Sequence, residues 1–93
     1  MSDNIQNAIE QTAAVLKASG AKEVYIFGSA TKGTMKEGSD VDFAVVGLPP
    51  EEFFKALSAA GRISPGPLDL VDLDEATPFT RYLKEEGELK RVA

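Results

Sequence analysis

Three aspartates and one Gly-Ser pair are the residues of this 93-residue chain whose types and spacing can do chemistry. The segment Val24-Tyr25-Ile26-Phe27-Gly28-Ser29 is an apolar run ending in Gly-Ser, which reads as a buried strand opening onto a tight turn. Asp40, eleven positions after Ser29, begins a second run, Asp40-Val41-Asp42-Phe43-Ala44-Val45-Val46. Side chains alternate across a strand, so Asp40 and Asp42 are expected on one face, their Cα atoms roughly 6.5–7 Å apart. Two acids side by side on an apolar strand repel and cost desolvation unless a positive charge sits between them. Hard oxygen ligands favour Mg²⁺ or Mn²⁺ for that role. Backbone N–H groups at a Gly-Ser turn favour an anion such as phosphate, and Lys32 or Lys36 adds positive charge nearby. Together these features point to a metal–nucleotide site.

Asp69 is the third acid, because it opens an apolar strand, Leu68 to Leu73. If that strand lies beside the second, Asp69 shares a face with Asp40 and Asp42. Three carboxylates so placed hold two metal ions about 3.5–4 Å apart, the clamp used for in-line displacement at phosphorus. Asp40 and Asp42 would bridge both ions. Asp69 would hold only the ion that activates the incoming hydroxyl, and would accept its proton. Gly28 and Ser29 would then hold the outgoing pyrophosphate. Each piece alone has a plainer reading: a Gly-Ser is most often an ordinary turn, and an Asp-x-Asp often faces solvent. The combination at this spacing is far more specific. Asp72 falls on the opposite face and reads as a surface polar residue. The stretch Gly28 to Thr34 is not a Walker A loop, since Gly33 is followed by Thr34 and Met35 rather than by Lys and Ser/Thr.

The absences narrow the chemistry. There is no Cys and no His, which removes thiolate nucleophiles, disulfides, imidazole bases and Cys- or His-ligated metals. A general base must then be a carboxylate, Lys, Tyr or metal-bound water. A net charge of −5 argues against direct nucleic-acid binding, which needs a basic face. Apolar residues make up 43% of the chain, ordinary for a globular protein. No apolar run approaches the ~18–20 residues of a membrane span, and no leader pattern opens the chain, so a cytoplasmic protein of one domain, residues 1–93, is expected.

Around these residues the elements read α-β-α-β-α-β-α, an α/β (α+β) fold with a small three-stranded mixed sheet flanked by helices. A helix over Asp3–Ser19 sets Ile5, Ile9, Ala13 and Leu16 on one face, with Gly20 closing it. Lys22–Phe27 and Asp40–Val46 are strands, with a turn or two of helix over Ala30–Met35 between them. Pro49-Pro50-Glu51-Glu52 starts a helix whose buried stripe is Phe53, Phe54, Leu57 and Ala60. After the third strand, Thr77-Pro78 starts a last helix, Pro78–Glu86, carrying Phe79, Tyr82 and Leu83 inward.

The segment GSATKGTMKEGSDVDFAVV resembles the Gly-Ser…Asp-x-Asp signature of the DNA polymerase beta superfamily of nucleotidyltransferases. With the tail LDLVDLDEATPFTRYLKEEGELKR, it is most similar to the minimal nucleotidyltransferases. The resemblance spans roughly Val24 to Leu89. It implies that Gly28 and Ser29 bind phosphate, with Lys32 as the accompanying cation, and that Asp40, Asp42 and Asp69 are the metal ligands and catalytic acids. The family often reads Gly-Ser-Arg-Ala-Arg-Gly, whereas Ala30, Thr31 and Lys32 stand between Ser29 and Gly33 here. It further implies two Mg²⁺ ions, ATP as substrate, and a HEPN-domain toxin as partner, neutralised by AMP transfer to a tyrosine or by complex formation. A short chain with no second domain to hold an acceptor fits an acceptor supplied by the partner protein. A non-catalytic module that masks the toxin is the alternative of a different class. A drug-modifying nucleotidyltransferase is the third.

Overall fold

A computed structural model describes residues 3–28, 39–87 and 89–93. Ser29, Lys32, Lys36 and the short helix expected over Ala30–Met35 lie outside the described residues. Helix α1 runs Asp3–Ala18, strand β1 Glu23–Phe27 and strand β2 Val41–Val46. A 3-10 turn at Pro50–Glu52 leads into helix α2, Phe53–Gly61. Strand β3 is Leu68–Asp72, helix α3 Pro78–Glu85 and strand β4 Lys90–Arg91.

The strands form one sheet in the order β3-β2-β1-β4, four strands rather than the three expected. The extra strand is short, charged and exposed, so it carries no apolar alternation. Backbone pairing alone makes it: Val92 N–H donates to the Val24 carbonyl at 2.8 Å, and Val24 N–H donates to Ala93 at 3.0 Å. β1 pairs antiparallel with β2 and β4, while β2 and β3 run parallel.

Helices α1 and α2 cover one face, where Ile9, Leu16, Val24, Phe43 and Val45 bury almost completely. Full burial of each such side chain stabilises the fold by about 1.5–3 kcal/mol. Thr12 sits within that face at 0% exposure, because its hydroxyl donates to the Ala8 carbonyl at 2.6 Å, one turn back. Helix α3 covers the other face through Leu83, which packs with Phe27, Ala44 and Leu73.

Two helical faces differ from expectation. In α2 the inward residues are Ala56 and Ala60, and Phe54 is 79% exposed. Phe54 stands two residues, about 200° of helix, from Ala56, so burial of the alanines turns it outward. In α3 the buried pair is Thr80 and Leu83, leaving Phe79 49% and Tyr82 50% exposed. Thr77 caps α3 as expected. Its side chain accepts from Thr80 N–H at 3.1 Å, and Thr77 N–H donates back to Thr80 Oγ1 at 3.0 Å.

Candidate active site

The sheet topology gathers the chemistry-bearing residues at one rim. Because β1 and β2 are antiparallel, the end of β1 meets the start of β2, with Phe27 opposite Asp42. Because β2 and β3 are parallel, the start of β3 arrives at the same rim, with Asp42 opposite Asp69. Gly28, Asp42 and Asp69, dispersed in sequence, thus become neighbours. Val41, Phe43 and Val45 turn into the α1–α2 core, so alternation sends Asp42 to the other face, at the open end beyond Leu83.

Asp42 is half-buried and its carboxyl is raised above the usual aspartate range. Burial is the largest cause, followed by the charge of Asp69, a hydrogen bond with Asp69, and the charge of Asp40. Asp69 is exposed and in direct contact with Asp42. Asp40 is also exposed and lies just before β2, not within it as expected. It acts on Asp42 through its charge. Among the described residues no three acidic side chains converge closely enough to cage an ion by themselves.

Gly28 closes the rim from the β1 side at φ +68°, a left-handed conformation. A Cβ there would stand 2.6 Å from Asp42 Oδ2. The missing side chain therefore lets the main chain approach the carboxylate. Phe27, just before it, meets Phe79 of α3 edge-on, with centroids 6.0 Å apart. Phe79 was expected to face inward from the last helix, but its meeting with Phe27 at this rim was not anticipated.

The donor set is all oxygen, and a half-buried carboxylate pressed against a second one is a place where a cation relieves repulsion. Two carboxylates plus substrate phosphates and water are a common way of holding Mg²⁺. The rim therefore fits a metal–nucleotide complex better than a bare ion.

A model of the family "Polymerase beta, Nucleotidyltransferase" matches residues 5–89. The chain belongs to that nucleotidyltransferase family. Among curated proteins, none matches it significantly. The fold is shared with a toxin–antitoxin crystal structure containing AMP-PNP, at 23% identity and TM-score 0.70, covering 90% of this chain and 72% of the other. It is similar to a complex of a tri-AMPylated HEPN toxin from Shewanella oneidensis with its MNT antitoxin, at 19% identity and TM-score 0.68, covering 96% and 71%. A structure described as a minimal nucleotidyltransferase matches at 23% identity and TM-score 0.69, covering 92% and 93%.

Proposed function

We propose that this chain is a Mg²⁺-dependent nucleotidyltransferase that moves AMP from ATP to a hydroxyl of a partner protein, acting as the cytoplasmic antitoxin of a HEPN-domain toxin. The observation that carries the reading is the pairing of Asp42 with Asp69 beside Gly28 in a chain of this family. The AMP-PNP in one relative and the AMPylated toxin in another support the choice of nucleotide and partner.

In this reading Asp40, Asp42 and Asp69 are the metal ligands, and Gly28, Ser29 and Lys32 hold the phosphates. The cation, when bound, supplies charge neutralisation at the transferring phosphorus. Asp69, the more exposed of the paired acids, faces the acceptor and takes its proton. The acceptor oxygen bonds to the α-phosphorus, the bond from that phosphorus to the bridging oxygen breaks, and pyrophosphate leaves toward Gly28. Asp42, held fast between β1 and β3, orients rather than titrates during turnover.

Masking of the toxin without transfer is the second reading. It is favoured by the lack, among the described residues, of a complete three-acid cage. Incubation with radiolabelled ATP and Mg²⁺, with and without the protein encoded beside this one, separates the two. The expected result is label on the neighbour, lost in Asp40→Ala/Asp42→Ala. If neutralisation survives that double change with no label ever transferred, masking is the function.

A further inference from the structure

The outer edge of β3 is an unfilled strand position. Two bonds bracket its ladder to β2: Val41 N–H donates to Pro67 C=O at 2.8 Å, and Leu73 N–H to Val45 C=O at 2.9 Å. In a parallel ladder alternate residues make both bonds. Asp69 and Val71 therefore serve β2, while Leu68, Leu70 and Asp72 turn their N–H and C=O outward. The Asp72 carbonyl accepts Glu75 N–H at 3.2 Å. Among the described residues, the outward groups of Leu68 and Leu70 have no backbone partner.

Along this edge lies a groove of about 510 Å³ between α2 and α3, its walls including Phe53, Phe54, Leu70 and Phe79. Among the described residues its charged lining is Asp72 and Glu75, with no Lys or Arg. One end reaches the candidate active rim twice over. Phe79 touches Phe27, the residue before Gly28, and Leu70 follows Asp69 on β3.

We propose that the β3 edge and its groove bind an extended segment of the partner protein as an additional strand. The segment presents an apolar or aromatic side chain to Phe54 and Phe79, Lys or Arg to Asp72 and Glu75, and a hydroxyl-bearing residue to Asp69. Only that last element rests on the transfer reading; the docking itself does not. A strand fits better than a helix, because bare N–H and C=O groups at a sheet edge are satisfied by an extended backbone. A second copy of this chain fits worse. A two-fold pairing of β3 with itself would join two acidic edges, Asp72 and Glu75 from each copy, with no Lys or Arg among the described lining residues to offset them.

A displayed library of random peptides of about twelve residues, selected on the full chain without nucleotide or metal, tests this. The expected consensus alternates apolar and polar residues, carries Lys or Arg, and excludes Pro at every second position. Leu70→Pro removes an outward donor, together with a side chain that packs on the α1–α2 core and lines the groove, and spares the β2 ladder. It, Phe54→Ser and Asp72→Lys/Glu75→Lys should each weaken selected peptides at least tenfold. Phe54→Ser alters an exposed side chain, so the test stands even if Leu70→Pro fails to fold. Slowed hydrogen exchange at Leu70 on peptide addition is expected as well. Peptides that bind all variants equally overturn the docking, as does a consensus of helical period or without cations. So does sedimentation showing that the variants abolish a homodimer instead. Peptide uptake by Asp42→Asn is read in parallel, so failure here counts against the docking and leaves transfer to its own radiolabel assay.

Discussion

At position 28 a hydrogen stands where a side chain would collide with the Asp42 carboxylate, and this single contact sets the geometry of the rim. Gly28→Ala adds the strain of a left-handed backbone, about 1–2 kcal/mol, and pushes Asp42 aside. A displacement near 1 Å costs about 10²-fold in rate, so nucleotidyl transfer should fall at least that far while the melting temperature drops by a few degrees. Asp42 itself works against the fold. Its carboxyl holds a proton more tightly when folded than when unfolded, so metal-free stability declines as pH rises from the ordinary aspartate range through the raised one. Asp42→Asn removes that charge. Metal-free Asp42→Asn should therefore melt above the native protein at neutral pH, with the gap closing as pH falls, while transfer is lost. A mutant that melts lower at every pH would contradict this origin of the shift. The placing of Gly28 at a strand end, and of Asp42 beside Asp69, was legible in the sequence because side-chain alternation and strand-end glycine are local rules. That Asp40 stands outside β2 was not, since where a strand begins depends on its partners: β1 ends opposite Asp42 and β3 starts opposite Val41.

Among the elements, α3 has the most specific anchoring. Thr80 is 3% exposed, and its hydroxyl donates to the Glu75 carbonyl at 2.6 Å while accepting from Thr77 N–H. Thr80→Val keeps the shape but leaves both partners without it, a cost of about 1–3 kcal/mol. The melting temperature should fall by roughly 5–15 °C, whereas Thr80→Ser should recover most of it. The cap was readable from Thr77-Pro78, because capping chemistry is local. The buried faces of α2 and α3 were harder to read. Ala60 and Leu83 lie inside as expected, but a reading that sends the largest apolar residues inward also selects Phe54 and Tyr82, where Ala56 and Thr80 are the buried residues. β4 was illegible for the opposite reason: it has almost no side-chain signal, and only its pairing with β1 defines it.

Across the whole molecule, the mixed strand directions assemble the rim, since antiparallel β1–β2 and parallel β2–β3 bring one end and two beginnings to the same place. The site is thus a property of topology, and its repulsion is spread over two strands. Mg²⁺ with ATP should stabilise the fold by about 2.7 kcal/mol at a hundredfold excess over Kd, a rise of roughly 10–20 °C for a domain of this size. Scanning calorimetry with Mg²⁺ alone, ATP alone and both checks it. Most of the gain should need both, as no three acids among the described residues converge into a cage that would hold the ion without phosphate. No shift with both would leave the rim without a ligand. Among the described residues no helix is long and apolar enough to cross a membrane.

The setting of Asp42 directly across from Asp69 carries one more implication. Burial and the neighbouring negative charge make the Asp42 carboxyl hold its proton more tightly than a free aspartate does, and a divalent cation taking up the same oxygens competes with that proton. Uptake of Mg²⁺ and nucleotide should then weaken as the solution is made acidic, and enthalpies titrated in buffers of different ionisation heat should diverge there and converge at neutral pH.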